Sequence, residues 1–298
     1  MSNVNITDIL VNGHKEVWID QGSGIEKTKL TFLNEESVRS LAQRLALSTG
    51  RRLDQSQPYA DAQLSKTIRL HAVLSPIANP GTIISLRIHR PQIMSLTELV
   101  LNNTLTTSKK DFLNQIIKEK KSFVICGGTG SGKTTLLNSL LSEVDRNQRI
   151  LIIEDSGELN PHHPHVVSLE GRPANIEGMG LITMKDLIKQ SLRMRADRLI
   201  IGEVRGAEVI DWLSALNTGH TGSAGTIHAN SIHEVVIRFE SLGLMAGLSK
   251  EAIHSQLRTA LDYVIHIERQ FDGQRQVKAI GKFQTDSNGN CFIEEINI

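Results

Sequence analysis

The sequence predicts an α/β protein: a parallel sheet covered by helices and carrying a phosphate-binding loop, preceded by a smaller α+β N-terminal domain. Three observations predict it. Strand and helix patterns alternate along the second half of the chain. A glycine-rich stretch follows the first of those strands. Residues 6–90 instead mix short strands with one amphipathic helix. Strands that alternate with helices pair in parallel, because a parallel connection needs a crossover long enough to hold a helix.

The N-terminal part begins with a strand at Ile6–Val11, a turn at Asn12-Gly13 and a second strand at Val17–Asp20. Glu35–Leu47 is a helix, with Val38, Leu41, Ala42 and Leu45 at helical spacing and Gly50 as its stop. Ile68–Leu74 and Ile83–Ile88 read as strands separated by the turn at Pro80-Gly81. Pro91 opens a more polar stretch with short helical patterns. The expected organisation is an N-terminal domain at 1–92, a linker at 93–107 and the larger domain at 108–298.

In the larger domain, Ser122–Cys126, Ile150–Ile153 and Leu199–Ile201 are strands, and Lys133–Ser142, Met184–Met194 and Ala207–Leu216 are helices. The end differs. Val264–Ile267, Val277–Phe283 and Cys291–Ile298 read as an antiparallel meander turning at Asp272-Gly273 and Asn288-Gly289.

Composition narrows the function. Of 298 residues, 39% are apolar, enough for a core, but only 4% are aromatic, so aliphatic side chains must fill it. The net charge of +1 gives no general field for nucleic acid or an anionic membrane. The two cysteines, Cys126 and Cys291, form no metal or redox spacing and fit a reducing cytosol. The first ten residues hold no apolar signal core, and no apolar run approaches the roughly 18 residues of a membrane span. Action at a membrane therefore requires recruitment by partners.

Residues 127–134 read Gly-Gly-Thr-Gly-Ser-Gly-Lys-Thr, the P-loop pattern, between an apolar strand and a helix start. Glycines let backbone N–H groups turn towards phosphate oxygens, and the helix N-terminus adds partial positive charge. Gly128, Thr129, Gly130, Ser131, Gly132, Lys133, Thr134 and Thr135 are therefore the candidate nucleotide ligands. Lys133 brings a full charge, and the Thr134 hydroxyl addresses Mg²⁺. The expected chemistry is binding and hydrolysis of ATP with Mg²⁺.

Such a loop needs acids. Glu154 and Glu158 follow one strand, and Glu203 ends another in Gly202-Glu203, where Asp is the commoner residue. Strand ends of a parallel sheet converge on the ligand crevice. Glu203 holds Mg²⁺ or polarises the attacking water; the residues alone leave the roles of the three acids open. The stretch 218–230 is small, polar and glycine-rich, with His220 and His228 as candidate nucleotide sensors. Arg193, Arg195, Arg198 and Arg205 flank the Glu203 strand, and Arg69 and Arg87 lie on N-terminal strands, all candidates to neutralise phosphoryl charge. His162, His163 and His165 read as chance loop histidines rather than a metal site.

Four blocks go beyond a generic P-loop: Gly127–Thr135, Ile153–Glu158, Leu199–Gly206 and Thr218–Asn230. In this order they resemble the Walker A, Asp box, Walker B and His box of type II/type IV secretion and pilus ATPases. Asp8–Gly13, Gly50-Arg51-Arg52 and Ile84–Arg87 resemble the N-domain of the CpaF-like branch, which powers Tad/Flp pilus assembly. The resemblance implies a RecA-like P-loop NTPase domain, a mobile N-domain and a cytoplasmic hexameric ring docked on inner-membrane platform proteins of a pilus or secretion machine. It implies a catalytic set of Lys133, Glu158, Glu203, His228, Arg69 and Arg87, with Glu154, Arg205 and His220 near the nucleotide and Thr134 and Glu203 on the metal. The tetracysteine zinc segment of type II secretion motors is absent. The chain also starts almost at the N-domain, without the long extension of many CpaF-like proteins. A nucleic-acid motor on a RecA-like core is the alternative, opposed by low aromatic content and balanced charge. A subunit that binds ATP without hydrolysing it is opposed by the presence of Lys133, Glu158, Glu203 and His228 together.

Overall fold

The fold is described from a computed structural model covering residues 6–22, 24–65, 67–88, 94–172, 174 and 179–298. The chain divides into two compact units, one made of the first 90 residues together with Met179 and one formed by 94–174 and 180–298.

The first unit contains β1 (Asp8–Asn12), β2 (Glu16–Asp20), β3 (Ile25–Lys27), α1 (Glu35–Leu47), β4 (Tyr59–Ser65), β5 (Ile68–Val73) and β6 (Ile83–Ile88). Its strands form one antiparallel sheet in the order β3-β2-β1-β6-β5-β4. Helix α1 starts where the Asn34 side chain accepts from the Ser37 N–H, and Glu35 and Glu36 complement the first turn. Val38, Ala42 and Ala46 are fully buried and share a core with Leu70 and Ala72 of β5. Strand β4 escapes the sequence pattern because its buried positions are Ala60 and Ala62, whose small side chains give a weak apolar alternation.

Arg69 and Arg87 are directly opposed across β5 and β6. Two like charges at paired positions repel, and each is matched by its own acid. Arg69 holds Asp61 through two bonds, Nε–Oδ1 at 3.0 Å and a terminal nitrogen to Oδ2 at 2.7 Å. Arg87 Nε bonds Asp8 Oδ1 at 3.2 Å.

The second unit contains α2 (Leu96–Leu101), α3 (Thr107–Lys118), β7 (Phe123–Cys126), α4 (Lys133–Ser142), β8 (Ile150–Glu154), β9 (Val166–Glu170), α5 (Met184–Ser191), β10 (Arg198–Val204), α6 (Glu208–Asn217), β11 (Ala224–Ile227), α7 (Glu234–Met245), α8 (Lys250–Ala260), β12 (Tyr263–Arg269), β13 (Arg275–Thr285) and β14 (Cys291–Glu295). The sheet order is β14-β13-β12-β7-β11-β10-β8-β9. From β12 to β9 every pairing is parallel; β13 and β14 are antiparallel. Both faces of the sheet are buried. Phe123 and Ile125 join the core of α3 and α4, while Val124 and Cys126 join that of α5 to α8.

One expectation changes, and two stretches gain a neighbour in the sheet. Residue 93 and Pro91 lie outside the described residues, but the remaining stretch assigned to the linker is packed: α2 is closed by a capping box between Ser95 and Glu98, and Leu96, Leu99 and Leu105 are buried in the second unit's core. The glycine-rich stretch 218–230 contains a central strand, β11; Gly225 lies where a Cβ would stand 3.0 Å from the Trp212 ring, so bulk is excluded there. The C-terminal meander is continuous with the parallel sheet, because β12 pairs in parallel with β7 on its other edge.

Candidate nucleotide site

Strand β7 delivers the glycine-rich loop and α4 leaves it. Gly132, the residue before α4, has φ of 99°, a left-handed backbone that side chains disfavour, and no side chain caps the helix. The first N–H groups of α4 are thereby left for an anion. Lys133 is 8% exposed and its Nζ donates to the Gly127 and Gly128 carbonyls, each at 2.8 Å. Burial lowers its pKa, opposed by the nearby Glu203 charge. Thr134 Oγ1 donates to Glu158 Oε2 at 3.4 Å. The Ser131 hydroxyl is buried with no hydrogen-bond partner among the described residues.

Strand β10 explains Gly202-Glu203. Its register with β11 shifts between Ile201 and Val204, a bulge that re-aims the side chain at its centre. Thr226 Oγ1 donates to the Gly202 carbonyl at 2.6 Å, satisfying a group the ladder leaves. Glu203 then meets two basic residues. Arg205 donates to Oε2 at 2.5 Å, and His228 Nε2 lies 2.8 Å from Oε1. The His228 contact lacks hydrogen-bond alignment, so Oε1 is buried without a hydrogen bond among the described residues. Burial pushes the Glu203 carboxyl up, but Arg205, His228 and Lys133 outweigh it and hold it below the ordinary range. Burial, helped by Lys133, lowers the His228 pKa, opposed by the nearby Glu203 charge.

Glu154 plays another part. It is 4% exposed, and its two oxygens accept the N–H groups of Glu158 and Leu159 at 3.1–3.3 Å. Burial raises its carboxyl to about 7. Its carboxylate anchors the loop that carries Glu158. The buried Asn138 and the half-buried Ser142 of α4 accept from the Asn160 and His162 N–H groups and tie the same loop to the P-loop helix. Both were missed; the one signal was polarity inside an otherwise apolar helix pattern.

The two histidines of the glycine-rich stretch are separated. His228 follows the C-terminal end of β11, beside Gly127 and Gly128 in a cleft of about 510 Å³ that also takes in Asn230 and Arg238. His220 precedes the other end, with Nδ1 3.2 Å from the Ala215 carbonyl. Four strand residues put about 13 Å between the two ends, so within one chain His220 lies in the loop at the end of β11 opposite His228. Arg198 belongs to that end too. It is 1% exposed and donates to Gln148 Oε1 and to the carbonyls of Gly222 and Ile117, a structural role in place of the phosphoryl contact considered for it. Lys133, Thr134, Glu158, Glu203, Arg205 and His228 are brought together; Arg69 and Arg87 belong to the first unit.

A model of the family described as Type II/IV secretion system protein matches residues 1–292. The chain belongs to that family. A Mycobacterium tuberculosis protein named for conjugal transfer is 47% identical over 280 residues, 92% of this chain and 80% of its own. The type IV secretion system protein PtlH of Bordetella pertussis is 30% identical, covering 90% of this chain and 85% of its own. Among solved structures, the VirB11 ATPase of the Brucella suis type IV secretion system, in complex with sulphate, aligns with a TM-score of 0.54 at 26% identity, covering 96% and 94% of the two chains. The pilus retraction motor PilT with bound ADP aligns with a TM-score of 0.62 at 18% identity, over 98% and 78%, a likeness of fold. The two-domain RecA-like architecture is shared with these secretion ATPases. No helix among the described residues of this family member is long and apolar enough to cross a membrane.

Proposed function

We propose that this chain is the ATP-hydrolysing motor of a pilus-assembly or type II/IV-like secretion machine, in the CpaF-like branch, working as a hexameric ring on inner-membrane platform proteins at the cytoplasmic face. The observation that carries the hydrolytic part is the gathering of Lys133, Thr134, Glu158, Glu203 and His228 around one loop. The sequence order of the four family blocks supports the motor part. Balanced charge and few aromatic residues leave the nucleic-acid motor without support.

The residues fit Mg²⁺. The ion is bound by one or two protein oxygens plus phosphates and waters. Thr134 offers a hydroxyl, and Glu203 Oε1 is a buried oxygen with no hydrogen bond among the described residues. When bound, the ion neutralises charge on the transferring phosphoryl group. Lys133 holds phosphate oxygens, the loop N–H groups orient them, and Glu158 and Glu203 handle the attacking water and the metal. Arg69 and Arg87 add positive charge from the N-terminal unit, where an arginine is worth roughly 10³ to 10⁵ in rate.

The test is phosphate release by the purified chain with Mg²⁺ and ATP. Lys133→Ala removes the loop's side-chain cation, so turnover falls to background. Turnover within about threefold of wild type, set against the 10³ or more expected of phosphoryl-charge stabilisation, overturns the reading.

A further inference from the structure

Arg275 lies outside every sequence block, yet the fold places it on the phosphate loop. It opens β13, and the hairpin that joins β12 to β13 carries it to the glycines. Its Nε donates to the Gly130 carbonyl at 3.4 Å. A Cβ built on Gly132 would stand 2.9 Å from Arg275 Cδ and 3.6 Å from its Nε. The same hairpin brings the Ile267 carbonyl to 2.1 Å from where a Cβ on Gly127 would be. Three loop glycines thus face one hairpin, and Arg275 is the cation it brings against them.

The guanidinium is lightly committed. Among the described residues no carboxylate pairs with it, and its bond to Gly130 is long for N–H···O. An arginine carries five donors in a planar fork and stays charged, so one weak bond to a carbonyl leaves most of its capacity for an anion. Lys133 sits deeper, against Gly127 and Gly128, and in a P-loop the lysine addresses the β- and γ-phosphates. Arg275 stands instead at Gly130 and Gly132, in the loop whose N–H groups cradle the α- and β-phosphates.

We propose that Arg275 is a nucleotide-contacting residue, a second cation of the cradle that reaches the phosphates common to ADP and ATP. The inference rests on the P-loop of this chain binding nucleotide, and the experiment separates the two. Affinities for ADP and for a non-hydrolysable ATP analogue are measured at equilibrium by competition against a fluorescent nucleotide, without turnover. Loss of a charge-assisted hydrogen bond in Arg275→Gln weakens both ligands about tenfold, and by the same factor. Arg275→Lys, which keeps the charge without the fork, recovers part of the loss. Arg269→Gln, at the paired position on β12, leaves both affinities unchanged, which separates contact from general hairpin charge. The unfolding midpoint without nucleotide stays the same in Arg275→Gln. Lys133→Ala is the reference: normal ADP binding by that variant sinks the P-loop reading itself. If Lys133→Ala loses binding while Arg275→Gln binds both nucleotides like wild type, the inference alone is overturned; loss confined to the ATP analogue also overturns it, by moving the contact to the γ-phosphate.

Discussion

Gly202 and Glu154 are packed so closely that a Cβ on Gly202 would fall 2.6 Å from Glu154 Cγ. One residue later stands Glu203, and four residues after Glu154 stands Glu158. The contact therefore joins the two strand ends that present the acids of the site. Glycine is required at 202 to let β10 pass the Glu154 side chain.

Gly202→Ala should accordingly drive Glu154 from its place and disturb both acids at once. Turnover should fall at least about tenfold, with a stability loss of about 1–3 kcal/mol from overpacking. Phosphate release and urea unfolding measure the two effects; an alanine variant with wild-type turnover removes the link between the strand ends.

Glu154 also predicts a pH dependence. Its carboxyl is raised from 4.5 to about 7 in the folded chain. Between these values the folded state binds a proton that the unfolded state has released, so stability falls as pH rises from about 4.5 to about 7. The contribution is on the order of 3 kcal/mol at 1.36 kcal/mol per pKa unit. Glu154→Gln abolishes that slope. Urea midpoints at pH 5, 6, 7 and 8, followed through the buried Trp212 in a Trp18→Phe background, test it; parallel profiles for the two proteins count against the assignment.

Glu158→Gln and Glu203→Gln keep shape and remove charge. Hydrolysis should drop at least about a hundredfold in each, the scale of a positioned acid–base group, while a fluorescent ATP analogue still binds. Normal hydrolysis by both variants would move the chemistry to other groups.

Arg198 donates to two backbone carbonyls and a side-chain amide with almost no solvent. Arg198→Met orphans those acceptors and should cost about 3–5 kcal/mol. Nucleotide affinity of the folded protein should be unchanged. A variant of full stability that fails in hydrolysis would return Arg198 to the phosphoryl-contact role.

Arg69→Ala and Arg87→Ala should each lower turnover at least about tenfold, below the full worth of an arginine on the phosphoryl group because the other remains. Circular dichroism should stay native. The same protein, in light scattering with a non-hydrolysable ATP analogue, should form a six-membered ring. A strict monomer at micromolar concentration weighs against the motor, and full turnover in both arginine variants removes the N-terminal unit from the chemistry.

The sequence by itself determined what depends on local chemistry. The glycine spacing and Lys133 specify a phosphate loop, because backbone geometry and one charge suffice for it. Apolar runs such as Phe123–Cys126 specify strands buried on both faces. The bounds of α1 follow from Asn34 and from the Gly50 stop, where φ reaches 71°. Only the tertiary structure decided which distant residues share a site. Glu154 and Glu158 lie in one short sequence block, but the fold buries the first as an anchor and turns the second towards Thr134. His220 and His228 lie in one small polar stretch, yet a central strand parts them to its opposite ends. Arg275 carries no motif and reaches the loop only because β12 pairs with β7. Periodicity records which face of an element is buried; it carries no record of which strand lies beside which. That neighbour relation sets the surroundings of every charged group in the site.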